Sequence, residues 1–378
     1  MHLIDWQSVL TEHQVHLLRE LGRLPEVHLQ IVTSMRELDA RQAQGWTPPD
    51  LSELDVIALS SKTWLADGIR LLRKNRTAHH LFCGLWADRR LFVLLLYARI
   101  TGCRISLMSE PYSDVTAGLL RDQSGVAGRI KLWLRRAAYR LAGIVLGPAV
   151  RPVFAISPKA VAQFTRAGFS PDAICPFGYF VPPSQSQVTP NRTAAPGLRL
   201  AFVGGLLRRK GLDIACDAVR AAAAEGIGIS LDVYGPGDVS TVPTSDHRIQ
   251  YCGVIPFGDT QKVLAAYDAL LVPSRFDGWA VVVNEALLQA VPVVASDAVG
   301  AAAMLRKSGA GFVFASEQRQ ALAELLKKLA REPAALAAAR AGAAAFRDKV
   351  LPPVAARYML DCYSAQSAHA ANPACPWY

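Results

Sequence analysis

One pattern constrains this chain more than any other, and the chain runs it twice. Short apolar runs alternate with helical stretches from residue 2 to residue 157, stop, and begin again at residue 198. The first series comprises "HLIDW" (2–6), "VHLQIVT" (27–33), "LDVIALS" (54–60), "HHLFCGL" (79–85), "CRISLMSE" (103–110) and "RPVFAIS" (151–157). The second comprises "LRLAFVGG" (198–205), "ISLDVYGPG" (229–237), "IQYCGVI" (249–255), "ALLVPS" (269–274), "VPVVAS" (291–296) and "GAGFVF" (309–314). Strands that are apolar on both faces and separated by helices belong in parallel sheets covered on both sides. Between the series lies "VPPSQSQVTPNRTAAPG" (181–197), with four prolines and little that can pack, which reads as a linker. The expected layout is an N-terminal α/β domain over 1–180, a linker over 181–197, a second α/β domain over 198–350, and a C-terminal helix and tail over 351–378. The Ala-rich segment 320–346 is helical by propensity, and the last residues carry little pattern and read as loose. Two such domains leave a cleft between them in which a ligand is expected.

Composition narrows the function classes. At 378 residues with 51% hydrophobic and 19% charged side chains, the chain buries a sizeable interior. Its formal charge is +10, and residues 1–180 hold 22 Lys/Arg against 15 Asp/Glu, so most of the excess lies in the first half. Such an excess suits an anionic partner. Nucleic acid is the poorer choice, because the basic residues lack interleaved aromatics or a reading helix. The seven cysteines form no C-x-x-C pair and have no histidine cluster beside them, which argues against a disulfide framework or a zinc site. "MHLIDWQSVLTEHQ" does not read as a signal peptide, and runs such as "LFVLLLYA" (91–98) fall short of the ~20 residues a membrane span needs. A cytoplasmic protein is expected.

Three stretches carry chemistry. In "FVGGLLRRKGL" (202–212) a strand runs into Gly204-Gly205 and a helix starts near Gly211. Backbone amides at such a turn favour phosphate, and Lys210 adds a charge-assisted contact. The same residues also suit a plain strand–turn–helix with solvated arginines. "DVYGPGD" (232–238) places Gly235 in a tight turn after a strand, weak as a signal by itself. The strongest stretch is "FDGWAVVVNEALLQAVPVVAS" (276–296), where two carboxylates, Asp277 and Glu285, frame an apolar run. Gly278 opens the backbone so that the amides of Trp279, Ala280 and Val281 can point at a ligand from a helix start. Asp277 as a simple helix cap is the plainer alternative. The matching alternative for Glu285 is an ordinary polar helix residue, which its apolar neighbours disfavour, since an unpartnered buried carboxylate costs several kcal/mol.

Together, in this order and spacing, these motifs resemble the C-terminal domain of the family-4 retaining glycosyltransferases (glycosyl transferases group 1) of the two-domain GT-B fold. Their E-x7-E signature is matched here with Asp277 for the first acid and Glu285 for the second, followed by the typical "PVVAS". The resemblance covers residues 198–315 and implies two Rossmann-like domains with parallel sheets facing an interdomain cleft. It implies that Lys210 holds the donor's pyrophosphate, with the turn glycines Gly204, Gly205 and Gly235 close by. Asp277 would bind hydroxyls of the transferred sugar, the amides of Gly278 to Val281 the sugar and phosphate, and Glu285 the ribose hydroxyls. The chain departs from the family at three points: Gly205 stands where Arg is usual, Asp277 where Glu is usual, and Ala280 where Gly is usual. Arg209 or its neighbour Arg208 is the candidate to replace the missing charge at Gly205.

By the same resemblance the reaction is retaining transfer of a hexose-type sugar from a nucleotide diphosphate sugar to a lipid-linked, polysaccharide or lipopolysaccharide glycan. No D-x-D occurs, so no metal or other cofactor is expected. On the N-terminal side, His13 and Glu110 are candidates to contact or deprotonate an acceptor hydroxyl. "GRIKLWLRRAAYRLAG" (128–143) places Ile130, Trp133, Leu134, Ala137 and Leu141 on one arc flanked by five basic residues. Such a helix suits an anionic membrane surface at the inner face of the cell membrane, or an ordinary domain helix with a solvated basic face. The alternative to an enzyme is a degenerate, non-catalytic GT-B-like partner subunit.

Overall fold

A computed structural model of the chain describes residues 1–34, 49–116, 125–184, 197–243, 245–256 and 258–378. It divides into two compact units. The first holds Met1–Tyr112, Ile130–Val181 and Pro352–Pro376, and the second holds Ser113–Arg129, Pro182–Leu351 and Trp377–Tyr378. Most of the expected linker, residues 185–196, lies outside the described residues.

In the first unit seven strands form one sheet: β1 (His2–Gln7), β2 (His28–Thr33), β3 (Val56–Ala58), β4 (His79–Cys83), β5 (Arg104–Ser109), β6 (Val150–Ile156) and β7 (Ile174–Phe177). Their order is β3-β2-β1-β4-β5-β6-β7, and every pairing is parallel. Strands β1, β4 and β5 are buried almost without interruption, as expected where helices cover both faces. Those helices include α1 (Glu12–Arg23), α2 (Trp64–Lys74), α3 (Arg89–Ile100), α4 (Val126–Leu146) and α5 (Pro158–Ala167). Strand β7 had no counterpart in the sequence reading. It is four residues long, sits at the sheet edge and contains Pro176, which cannot donate to a ladder and hides the strand from pattern reading.

The second unit repeats the plan with β8 (Leu198–Val203), β9 (Ile229–Tyr234), β10 (Ile249–Tyr251), β11 (Ala269–Val272), β12 (Val293–Ser296) and β13 (Gly311–Phe314). The order is β10-β9-β8-β11-β12-β13, again parallel. Its helices are α6 (Leu212–Ala224), α7 (Thr260–Leu264), α8 (Val281–Leu288), α9 (Ala302–Ser308), α10 (Arg319–Arg331) and α11 (Pro333–Phe346). The Ala-rich segment 320–346, expected to be helical, falls on two helices, α10 and α11. Pro333 has no N–H for a continuing helix and instead opens the second one.

The expectation of a loose C-terminus is corrected. Pro352–Ser367 is helical and packs on α1. Farther on, Trp377 is fully buried, and its Nε1 donates to the Lys349 carbonyl at 2.7 Å. Burial of an indole this large stabilises the terminus by more than the sparse pattern of polar and small residues suggests.

In each sheet the strand order reverses once, between β1 and β4 and between β8 and β11. Loops leaving the carboxyl ends of strands at such a reversal diverge and open a crevice, the usual ligand position in open α/β sheets.

Candidate active site

At the β8/β11 reversal, two glycines allow main chains to approach where a side chain could not fit. Gly211 has φ +73°, and a Cβ there would lie 2.1 Å from the Pro273 carbonyl oxygen at the end of β11. Gly235 has φ +142°, and its Cβ would lie 2.0 Å from the Gly204 oxygen. The turns after β8, β9 and β11 are thereby drawn together. As a result Lys210 Nζ lies 2.5 Å from Asp277 Oδ2, although 67 residues separate them in sequence.

Asp277 is 9% exposed. Its amide donates to the Ala298 carbonyl at 3.2 Å, and its own carbonyl accepts from Gly300 at 3.1 Å. Helix α8 starts at Val281 with Ala280 in the capping position, so Asp277 is not the helix cap that the plainer reading made it. Ala280 itself has φ +73° and ψ +81°, left-handed backbone that a Cβ disfavours. The resemblance has glycine at this position, and the backbone shows why. Among the described residues, the amides of Gly278, Ala280 and Val281 donate to no protein group. Trp279 differs from its neighbours. Its ring is 1% exposed, its Nε1 donates to Asn284 Oδ1 at 2.9 Å, and Tyr378 stands beside it at 6.3 Å between ring centroids. That side chain anchors the loop from behind.

Glu285 lies on α8 and is half-buried. Desolvation pushes its carboxyl up to about 7, against a smaller lowering by a hydrogen bond with Thr260. An ordinary solvated helix glutamate would show no such displacement. Arg209 is half-buried in the 3-10 turn Arg208–Lys210, and among the described residues no acid pairs with it. Gly205, in contrast to Gly211 and Gly235, has no steric reason to be glycine, because a Cβ there would meet nothing nearer than 3.7 Å.

Sequence reasoning missed Arg275. It is 6% exposed, three residues beyond β11, and its Nη1 and Nη2 donate to the two oxygens of Asp213, each at 2.7 Å. Nε donates to Glu317 at 2.5 Å, and Nη1 also reaches the Arg208 carbonyl at 2.8 Å. The Arg275 amide donates to the Arg209 carbonyl at 2.8 Å. One guanidinium thus ties the lysine-bearing turn to the aspartate-bearing loop with planar, bidentate geometry that a lysine could not reproduce. Desolvation works to raise the Asp213 pKa, but Arg275 and Arg319 outweigh it and hold the carboxyl at about 2. The only clue in the sequence was a cation directly after an apolar run, "LLVPSR".

In the first unit, Glu110 is exposed immediately beyond β5. His13 is in the first turn of α1, two residues after the cap Thr11, and not in the loop before it. Its Nε2 lies 3.1 Å from Thr11 Oγ1, and its ring meets Tyr179 edge-on at 4.8 Å. Among the described residues no group of three or more His, Cys, Asp or Glu side chains could hold a metal ion, and no helix is long and apolar enough to cross a membrane.

Comparison with known proteins bears on this geometry. Residues 197–332 match the family model described as "Glycosyl transferases group 1". The family match falls on the second unit. A 2-deoxystreptamine glucosyltransferase of Streptomyces kanamyceticus is 27% identical over 320 residues, which cover 79% of this chain and 76% of the relative. The crystal structure of Anabaena HepE in complex with UDP superimposes with TM-score 0.70 at 14% identity, covering 97% of this chain and 100% of the other. WaaG, a glycosyltransferase involved in lipopolysaccharide biosynthesis, superimposes with TM-score 0.63 at 16% identity, covering 94% and 98%. The fold is GT-B. Within GT-B the strand order 3-2-1-4-5-6, present in both sheets here, puts Lys210, Asp277 and Glu285 on elements that follow β8 and β11.

Proposed function

We propose that this chain is a retaining, metal-independent glycosyltransferase that takes a hexose-type sugar from a nucleotide diphosphate sugar. The observation that carries this reading is the Lys210–Asp277 pair at 2.5 Å beside the undonated amides of Gly278, Ala280 and Val281. When the donor enters, Lys210 turns from Asp277 to the diphosphate and stabilises the charge that grows on the leaving group. Asp277 is thereby released to accept hydrogen bonds from sugar hydroxyls. The free amides at the start of α8 complete the anion contact, and Arg209 supplies the second cation absent at Gly205. Glu285 accepts from the ribose hydroxyls. His13 and Glu110 contact the acceptor.

The acceptor in this reading is a lipid-linked or polysaccharide glycan at the cytoplasmic face of a membrane. Helix α4 supports it: Ile130, Trp133, Leu134, Leu141 and Ile144 are all more than half exposed, with Arg129, Lys131, Arg135, Arg136 and Arg140 along the same helix. Apolar side chains left in water beside a basic rim match an anionic bilayer surface.

The deciding test is release of nucleoside diphosphate from UDP-, GDP- and dTDP-sugars, with and without detergent-solubilised lipid acceptors, in wild type and Glu285→Ala. Release from one donor that is lost in the variant supports the reading and names the donor. Silence across the panel, with no thermal shift by any nucleotide, leaves a non-catalytic binding protein.

A further inference from the structure

One buried polar side chain in the second unit is unlike its surroundings. Asn284 is fully buried on α8, where Val283, Ala286 and Leu287 are equally buried. Its Oδ1 accepts from Trp279 Nε1 at 2.9 Å, and among the described residues its Nδ2 has no hydrogen-bond partner. The assignment of the two amide atoms is forced. An indole N–H can only donate, so the atom that faces it must be the oxygen, and the NH₂ is left to the interior. A buried donor without a partner costs stability, and a leucine of nearly the same shape would avoid that cost. What leucine lacks is an acceptor, and the acceptor is turned to Trp279.

The place of this bond explains its use. Trp279 and Asn284 stand on either side of Ala280, whose left-handed backbone is the strained point of the turn into α8. Strain of this kind persists only where the surroundings over-determine the conformation. On one side the Trp279 carbonyl accepts from the Ala301 amide at 2.9 Å, and the Asp277 carbonyl accepts from the Gly300 amide at 3.1 Å. On the other, the Val283 amide donates to the Ala280 carbonyl at 3.0 Å. The indole–amide bond joins the two sides, so Ala280 cannot relax without breaking it.

We propose that Asn284 is a positioning residue of the donor site: its amide oxygen holds the Trp279 indole across Ala280 and so fixes the direction in which the amides of Gly278, Ala280 and Val281 meet the donor's diphosphate. The clamp stands on the geometry alone. Its diphosphate role rests on the glycosyltransferase reading.

The test is a double-mutant cycle on the full chain with Asn284→Leu, Trp279→Phe and the two combined. Hydrogen exchange, followed by mass spectrometry, reads the segments 276–284 and 298–302, with the first unit as internal reference. Each single variant should speed exchange in those segments about tenfold, the loss of roughly one hydrogen bond, and leave the first unit unchanged. The double variant should also be about tenfold faster, because the bond is lost only once. Asn284→Leu should keep or raise the wild-type Tm, since the unpaired amide is lost with the bond. Wild-type exchange in either single variant, or a hundredfold effect in the double, overturns the clamp. A Leu variant with lower Tm and faster exchange in both units has lost a structural residue, which overturns the proposal as well. With an active donor–acceptor pair in hand, Asn284→Leu should raise the donor KM about tenfold with the acceptor KM unchanged. An unchanged donor KM overturns the diphosphate role. A wild-type protein inactive with every donor overturns that role together with the glycosyltransferase reading, and the exchange rates still decide the clamp.

Discussion

Both sheets reverse their strand order between a first and a fourth strand, yet the two reversals are furnished in opposite ways. At β8/β11 the side chains are charged and paired by contact: Lys210 with Asp277, and Arg275 with Asp213 and Glu317. At β1/β4 the polar groups are a neutral chain of amides and a hydroxyl, from Thr11 through Gln14 and Gln7, that ends on one unpaired carboxylate, Asp5. A phosphate-bearing ligand needs the first arrangement, because its charge must be met by cations and amides. A neutral hydroxyl needs the second, because it is recognised by hydrogen-bond direction and not by charge. In the proposed reading one strand order supports two kinds of recognition, and the difference lies in the side chains hung on it.

The sharpest way to break this contrast is to remove the charge that defines the second unit's reversal. Lys210→Ala should lower turnover by about 10²–10³-fold, the usual effect of deleting one group aimed at a developing negative charge. Steady-state rates of nucleotide release measure it. Gly205→Arg should act in the opposite direction, since a Cβ there meets nothing nearer than 3.7 Å and the side chain adds a cation to the turn after β8. A donor Kd lowered about tenfold, roughly one charge-assisted hydrogen bond, is expected by titration calorimetry.

The converse test neutralises the carboxylate of the first unit. Burial raises the Asp5 carboxyl from its ordinary 3.8 to about 6, against smaller lowering by its bonds to Gln7 and Cys83. The folded protein thus holds this proton more tightly than the unfolded chain, and stability falls as pH rises through the window between 3.8 and about 6. Asp5→Asn removes that loss. The variant should match wild type below pH 4 and exceed it above pH 6, by up to about 3 kcal/mol in denaturant unfolding. Equal stability at high pH would mean that the chain already meets the full cost of the charge.

How far the sequence disclosed these two sites follows from the same contrast. Lys210, Asp277 and Glu285 were legible as candidates because charge amid apolar residues stands out, and because their spacing resembles a known signature. The alternating runs disclosed both sheets for the same reason, since burial on both faces leaves an unbroken apolar signature. Arg275 was not legible, because its partners Asp213 and Glu317 lie 62 and 42 residues away and only folding unites them. The Asp5–Thr11 chain was hidden for a different reason. Gln and Thr are ordinary on a strand or at a helix start, and their meaning is a direction of donation that no composition records. The terminal Trp377–Tyr378 pair was read as loose because pattern methods need a period, and two residues have none.

Glu285 offers a smaller effect that tests whether the second site really depends on charge. Its carboxyl sits near 7 without donor, and the ionised form is the better acceptor for ribose hydroxyls. Donor KM should therefore fall as pH rises from 6 to 8. Glu285→Gln should flatten that dependence and raise KM about tenfold at the upper end, as expected for a hydrogen bond to a charged group. A pH profile that survives in the variant would assign the titration to another residue.

The smallest effect concerns backbone. Ala280 holds left-handed φ at the start of α8, which costs an L-residue about 1–2 kcal/mol. Glycine would release that strain, although it adds roughly 0.4–1 kcal/mol of unfolded-state entropy. Ala280→Gly should therefore stabilise the fold by about 0.5 kcal/mol, read as a rise of a degree or two in Tm. No residue of the Asp5–Thr11 chain has positive φ, so that chain offers no matching substitution. If Ala280→Gly stabilises the fold and also slows nucleotide release, the strain serves to aim the α8 amides. If it stabilises the fold with unchanged rates, the alanine is a tolerated departure, and the charged pair alone organises the donor site.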